Sequence, residues 1–324
     1  MRAAYVETLG PPEAIRYGEL PVPRPGPTDV LVDVLATPVN PVDTLIRSGA
    51  FATPIPFPFV VGRDAVGTVA AAGEGAPGFS AGDRVWCNSL GHEGRQGAAA
   101  EQVVVAADRL YRLPGGVEPE TAAAMAHPGV TAYLALFTHG RLGPGETVLI
   151  GGAAGNVGSA AVVLAARAGA RVVATARRED ADHCRSLGAV AVLDYRDPEL
   201  PHRIGEFTPE GVDVLLDTSG MNDLPTAVGL LAGRGRIVLM SGFGSRPVLP
   251  AGPLYSADRS VVGFAISNAT TAELADAAAV MNGLLASGDL RPRAVETAPL
   301  RDTAEAHRRM EEGLLRGKRL VLLP

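Results

Sequence analysis

Cysteine is almost absent from the 324-residue chain, with only Cys87 and Cys184, far apart in sequence. That excludes a disulfide framework and a cysteine-rich zinc site. Long apolar runs are missing too: none approaches the roughly 20 residues that a membrane span needs. The opening MRAAYVETLG lacks the apolar core of a secretory signal. There is no block of Lys and Arg, and the formal net charge is −6, which argues against a general nucleic-acid surface. Neither an internal repeat nor a low-complexity linker is found. A cytoplasmic protein with no membrane or nucleic-acid partner is expected. Hydrophobic residues make up 47% and charged residues 20%, the balance of a globular chain long enough for two domains.

What is present centres on Val148–Gly158, VLIGGAAGNVG. The apolar run Val148-Leu149-Ile150 enters a turn with Gly152, Gly155 and Gly158 three apart. Beyond it Val157, Ala160, Ala161, Leu164, Ala165 and Ala168 recur on one helix face. Strand, glycine turn and helix are the context that gives a dinucleotide fingerprint meaning. Residues without Cβ permit the tight turn and close backbone approach, and the free N–H groups at the helix start attract a pyrophosphate. The stretch Gly152, Ala154, Gly155, Asn156, Val157 and Gly158 is therefore the candidate cofactor turn.

Around this centre the texture changes twice. Residues 1–124 are rich in Val, Gly and Pro, with strands expected at Ala3–Val6, Asp29–Ala36, Ala65–Ala71, Arg84–Cys87 and Ala99–Val105. Their spacing suggests a compact, partly closed barrel. Helices are expected at Pro119–Ala126 and Val130–Thr138. From Thr147, near-continuous apolar strands at Val148–Ile150, Arg171–Thr175, Ala189–Leu193, Val212–Leu216, Arg236–Met240 and Ser260–Phe264 alternate with helical segments. That rhythm predicts a doubly wound, six-stranded parallel α/β domain. The tail carries a helix at Thr271–Leu285, a strand at Val295–Leu300, an amphipathic helix at Asp302–Leu315 and a strand at Arg319–Leu323. Lacking the nucleotide-fold rhythm, it is expected to complete the first domain. The division predicted is 1–124 with 265–324, and 125–264.

The second α/β strand ends at Thr175-Ala176-Arg177-Arg178. An NAD site would place a carboxylate here, about 18 residues past Gly158, to hold the ribose 2′-hydroxyl. Ala176 stands there instead, and a 2′-phosphate can pair with the guanidiniums that follow. NADP(H) is the cofactor expected, although Glu179 and Asp180 dilute the positive field.

With these motifs in place, the chain resembles the zinc-independent quinone oxidoreductase branch of the medium-chain dehydrogenase/reductase family. The stretches that carry the likeness run end to end: PVPRPGPTDVLVDV (21–34), NPVDTLIRSG (40–49), GRDAVGTVAAAG (62–73), FSAGDRV (79–85), GAAAEQVVV (97–105), HPGVTAYLAL (127–136), GGAAGNVG (151–158), LDYR (193–196) and the terminal RGKRLVLLP. The resemblance implies a GroES-like, partly open β-barrel catalytic domain beside a Rossmann domain. Zinc alcohol dehydrogenases of the same superfamily carry Cys where Asn40 stands and Gly-His-Glu where Gly62-Arg63-Asp64 stands. An amide and a guanidinium do not replace a thiolate and an imidazole as ligands. Cys87, His92 and Glu93 are the local substitutes, and no metal is expected.

Position by position, the resemblance implies that Asn40 and Asp43 line the acceptor site; a capping role for Asp43 is the competing reading. Asp64 joins them as a catalytic candidate, and with Arg63 it could orient a substrate; an internal ion pair between the two is the competing reading. Leu45, where many relatives have an aromatic, and Arg63 depart from the family pattern and alter the acceptor pocket. Thr131 would bond the cofactor, unless it back-bonds a helix carbonyl. Tyr195 would border the 2′-phosphate, or else serve the core. Ser219, Ser241 and Phe243 follow the fourth and fifth strands, where the crevice of a doubly wound sheet lies. Phe264 and Ile266 would approach the carboxamide, and Lys318 would add phosphate charge or stand exposed. His127 and His139 read as structural rather than acid–base groups.

The expected function is hydride transfer from NADPH to a small-molecule quinone or related conjugated carbonyl, without zinc or flavin. Such acceptors are already electrophilic and need no Lewis acid. An enoyl or alkenal double-bond reductase is one alternative, and an NADPH-binding sensor or structural protein with little turnover is another. The sixth strand, at a sheet edge, predicts a homodimer.

Overall fold

The computed structural model of the protein describes residues 1–315 and 317–324. Arg316, which opens the terminal RGKRLVLLP stretch, lies outside them. The chain divides into two compact units, Met1–His127 with Leu274–Pro324, and Pro128–Glu273.

In the first unit, β1 (Arg2–Val6), β2 (Arg16–Glu19) and β3 (Asp29–Pro38) are followed by helix α1 (Pro41–Ser48). Then come β4 (Phe59–Val60), β5 (Ala65–Ala72), β6 (Arg84–Cys87), β7 (Gln102–Ala106) and β8 (Tyr111–Arg112). The long β3 alternates buried Val30, Val32 and Val34 with half-exposed or exposed residues, and it pairs antiparallel with both β5 and β7. Helix α1 was not anticipated, because eight residues are too few to display a helical period. Its signals are local: Pro41 opens the first turn, Asp43 sits at its third position, and Gly49 ends it in the left-handed region. The strand expected at Ala99–Val105 begins later, at Gln102; Ala100 makes only an isolated bridge to Ala3.

Helix α2 (Pro119–Tyr133) replaces the two helices expected on either side of Pro128. An interior proline removes a hydrogen bond and costs about 3 kcal/mol. Here the surrounding turns, Ala122 to Ala126, are wholly buried, and that packing holds the helix together. A π-helical turn, Leu134–His139, follows directly.

The second unit alternates β9 (Thr147–Gly151), α3 (Asn156–Arg167), β10 (Arg171–Ala176), α4 (Ala181–Ser186), β11 (Ala191–Asp194) and α5 (Leu200–Phe207). It continues through β12 (Val212–Asp217), α6 (Leu224–Leu230), β13 (Leu231–Leu239), α7 (Ala251–Tyr255) and β14 (Ser260–Gly263). All six strands are parallel, in the order β11-β10-β9-β12-β13-β14. The order reverses beside β9, so the glycine turn at its carboxyl end stands at the switch point where doubly wound sheets bind ligands.

The tail supplies α8 (Thr271–Ser287), β15 (Val295–Pro299), α9 (Thr303–Glu311) and β16 (Arg319–Leu323). Strand β16 pairs with both β15 and β3, giving the sheet order β15-β16-β3-β5-β6-β8 in the first unit. The helix expected from Asp302 to Leu315 is shorter, since a tight turn at Leu300–Asp302 precedes it and Glu312 closes it.

Candidate functional site

The glycine turn is shaped by backbone contacts. Gly152 has φ +70, and a Cβ on Gly158 would lie 2.3 Å from the Gly152 carbonyl oxygen and 2.7 Å from Ala153 Cα. The N–H of Ala153 donates to Thr175 O at 3.0 Å and that of Gly155 to Gly152 O at 2.9 Å, while the Thr218 hydroxyl donates to Gly151 O at 2.8 Å. Gly155 caps α3 without a side chain, and Ser159 N–H is the first to bond back along it, to Gly155 O. The amides of Asn156, Val157 and Gly158 thus precede the helix's own hydrogen bonding, the arrangement that receives an anion.

Beyond the turn, Thr175 and Ala176 are buried at the end of β10. Below them lies a cavity of about 200 Å³ lined by Ala176, Arg177, Arg178, Arg185, Asp194 and Arg203, among others. Arg177 is drawn to Asp180 at 3.1 Å and Glu179 at 3.2 Å. Arg185 pairs with Asp182, and Arg203 with Asp197. Among the described residues Arg178 has no ion pair, so its charge is the least compensated of the four. Arg185 and Arg203 were missed in the sequence because α4 and α5 bring them in by tertiary packing. Tyr195 is half-exposed, with Arg196 over its ring at 5.4 Å.

Elsewhere in this unit, the Thr131 hydroxyl oxygen is buried and has no hydrogen bond among the described residues, so it does not back-bond its helix. Ser219 Oγ donates to Asp217 Oδ1 at 2.6 Å, and Ser241 Oγ to Asp217 O at 3.3 Å. Phe243 is 64% exposed, and Ile266 is buried in a short turn after β14. Phe264 stacks on His139, ring centroids 4.5 Å apart. Lys318 belongs to the first unit, where it is 55% exposed and 3.9 Å from Glu296.

The first unit gathers the remaining candidates in a buried polar cluster. Asn40 Nδ2 donates to Asp64 Oδ2 at 2.8 Å, and Asn40 Oδ1 accepts from Arg319 Nη2 at 2.7 Å. Asp43 Oδ2 accepts the backbone N–H of Asn40 at 2.8 Å, so Asp43 does cap α1; its other oxygen is buried without a partner. Arg63 is wholly buried beside both carboxylates. Leu45, on α1, is half-buried. His127 Nδ1 lies 3.5 Å from Asp64 Oδ1. Arg319 and His127 were not read from the sequence as members of this group, being remote from Asn40 and Asp64 along the chain.

Burial, reinforced by the charge of Asp64, pushes the Asp43 carboxyl up to about 7 from 3.8. The folded state therefore binds more protons than the unfolded one between these values. The associated stability is complete below pH 3.8 and lost as the pH rises through about 7. Asp43→Asn is expected to flatten the stability–pH curve across this window, measured from urea midpoints. A slope equal to that of the wild type would contradict this assignment.

The donor set does not suit a divalent metal. Two carboxylates, Asp43 and Asp64, already face two buried guanidiniums, Arg63 and Arg319, and both ends of the Asn40 amide are engaged. Cys87 is buried, with its thiol pushed up to about 12, far from the thiolate that a metal needs. Burial and the charge of Arg63 push His92 down. No group of three or more His, Cys, Asp or Glu able to hold a metal ion occurs among the described residues.

Residues 156–282 match the family model described as zinc-binding dehydrogenase, and residues 26–115 match that of the alcohol dehydrogenase GroES-like domain. Human quinone oxidoreductase is 31% identical over 327 residues, spanning 100% of this chain and 98% of its own. The crystal structure of Escherichia coli quinone oxidoreductase complexed with NADPH superposes with a TM-score of 0.87 at 28% identity, covering 100% of both chains. An NAD-dependent alcohol dehydrogenase superposes with a TM-score of 0.89 at 31% identity, also over 100% of both.

Proposed function

The chain belongs to the quinone oxidoreductase branch of the medium-chain dehydrogenase/reductase family, and from that premise we propose that it reduces a quinone with NADPH by direct hydride transfer. The observation that carries the cofactor is the end of β10, where Ala176 takes the place of a carboxylate and Arg178 lines the cavity unpaired. A 2′-phosphate meets no repelling charge at Ala176 and finds a guanidinium two residues on.

The residues present fit the dinucleotide. Gly152, Ala154, Gly155, Asn156, Val157 and Gly158 would receive its pyrophosphate on backbone amides, and a Cβ at Gly158 would close that cradle. Arg178 would hold the 2′-phosphate, with Arg177 and Tyr195 at its border. The buried, unpartnered hydroxyl of Thr131 would gain the hydrogen bond it lacks. Thr175, Ser219, Ser241, Phe243, Phe264 and Ile266 would line the remaining length; Lys318, exposed and 3.9 Å from Glu296, would add phosphate charge or stand in solvent. Bound NADPH supplies the hydride. Asn40, Asp43 and Asp64 form the polar floor of the acceptor site, with Leu45 and Arg63 shaping its selectivity. Quinones are electrophilic enough to take hydride without a metal to polarise them.

Removing the 2′-phosphate contact tests this directly. Arg178→Ala is expected to raise the KM for NADPH about 10-fold, the order of one charge-assisted hydrogen bond, and to leave that for NADH unchanged. Equal effects on both cofactors would place Arg178 elsewhere.

The protein is also proposed to be a homodimer of the cytoplasm. Strand β14 ends the six-stranded sheet with one edge unpaired, and bare edges of this kind are generally covered. The segment leading into it exposes Val248 (74%) and Tyr255 (76%). Light scattering at micromolar concentration is expected to give twice the chain mass of 33.3 kDa; a monomer mass would contradict the dimer. No helix among the described residues is long and apolar enough to cross a membrane, and both cysteines are buried thiols outside any disulfide, in keeping with a reducing compartment.

A further inference from the structure

Quinone reduction by hydride leaves an anionic oxygen that must take up a proton, and the cluster in the first unit contains a histidine, His127, beside a buried carboxylate. Arg319 Nη2 donates to Asn40 Oδ1, which fixes the amide so that Nδ2 donates to Asp64 Oδ2. The backbone carbonyl of Asp64 accepts from the Thr37 hydroxyl at 2.8 Å. Asp64 is thereby immobilised with one carboxylate oxygen committed and the other, Oδ1, turned toward His127 Nδ1 at 3.5 Å. Among the described residues neither of those two atoms has a hydrogen bond. The Asp64 side chain is 0% exposed, whereas that of His127 is 11% exposed. The charged groups around the pair are Asp43 on α1, Arg63 beside Asp64, and Arg319 on β16.

We propose that His127, whose Nδ1 faces Asp64 Oδ1, is the general acid that protonates the reduced acceptor from Nε2. The inference rests on the reading of the protein as a quinone reductase and adds the proton donor to it. A carboxylate facing Nδ1 keeps a hydrogen on that nitrogen, so Nε2 is the one that exchanges its proton. As the acceptor receives hydride, an O–H bond forms at its anionic oxygen while the Nε2–H bond of the imidazolium breaks. The neutral ring retains Nδ1–H toward Asp64, and solvent restores the Nε2 proton. Asp64 and, behind it, Asn40 and Arg319 act as positioning residues. Leu45 on α1 has no hydroxyl to offer in this role.

Two measurements test the proposal together. Long-range proton–nitrogen NMR of the wild-type protein, free of cofactor and acceptor and assigned with His127→Gln, should show neutral His127 as the Nδ1–H tautomer. In NADPH oxidation with a para-quinone, His127→Gln is expected to lower kcat about 100-fold, the range of a lost general acid. It should also remove the high-pH fall of kcat and leave the KM for NADPH unchanged; His127→Asn, with its thermal unfolding checked, repeats the test. An Nε2–H tautomer in the wild type, or a variant that keeps both kcat and the high-pH limb, would overturn the assignment. Failure of the wild type itself to oxidise NADPH with any quinone would overturn the functional reading, and this inference with it.

Discussion

Gly158→Ala is expected to raise the dissociation constant for NADPH about 100-fold or more. The added methyl would stand 2.3 Å from the Gly152 carbonyl oxygen, 2.7 Å from Ala153 Cα and 2.9 Å from the Gly152 carbonyl carbon. All three are backbone atoms of a turn pinned to β10 by Ala153 N–H and crowded by the Thr218 hydroxyl, which donates to Gly151 O. No side chain can swing aside, so the start of α3 must shift away from the turn. Doing so takes the amides of Asn156, Val157 and Gly158 out of line with the pyrophosphate. Each hydrogen bond to a charged group is worth about 1.5–3 kcal/mol, and losing two accounts for the predicted loss. Calorimetric titration with NADPH measures it, and circular dichroism confirms that the variant is folded. Gly205→Ala is the control: it lies in α5 with open space around its Cβ, and the variant should bind as the wild type does. Near-normal affinity in Gly158→Ala would move the cofactor away from this turn.

The second large effect falls on stability. Arg319→Ala is expected to destabilise the protein by about 3–5 kcal/mol, the cost of leaving buried carboxylates short of a compensating charge. The Arg319 side chain is buried in β16, where burial lowers its affinity for a proton against the opposing charges of Asp64 and Asp43, and its Nη2 satisfies Asn40 Oδ1. Its loss leaves two buried carboxylates facing Arg63 alone and frees the Asn40 amide to rotate. A fall in Tm of about 5 °C is the corresponding shift for a chain of this size. Lys318→Ala, one residue earlier and exposed, should leave Tm unchanged. If Arg319→Ala unfolds at the wild-type temperature, the cluster holds no uncompensated charge and its electrostatic description fails.

The cofactor half of the molecule could be read from the sequence because its signals are local. The apolar run Val148-Leu149-Ile150, the three glycines and the small residues of α3 occupy eleven consecutive positions and part of a helix. The six-strand rhythm likewise follows from short apolar runs that a doubly covered parallel sheet demands. What could not be read depends on distance along the chain. Arg177 and Arg178 look alike in sequence, and only folding shows Arg177 drawn onto Asp180 and Glu179 while Arg178 faces the cavity. Arg203 enters that cavity from a different helix. Asn40, Asp64, His127 and Arg319 come from four separate segments, so no spacing rule marks them as one network. In sequence Pro128 reads as a strong local breaker that divides α2 in two, and burial of the surrounding alanines outweighs it.

The most direct measurement is NADPH consumption with an ortho-quinone, a para-quinone and a simple enone in parallel, with NADH as the control. Quinone-dependent oxidation is predicted, faster with NADPH than with NADH, and the preference should collapse in Arg178→Ala. Turnover with the enone alone would contradict quinone reduction and make the protein a double-bond reductase. A preference for NADH, or NADPH binding with no turnover on any acceptor, would contradict the account at the cofactor or at the chemistry respectively.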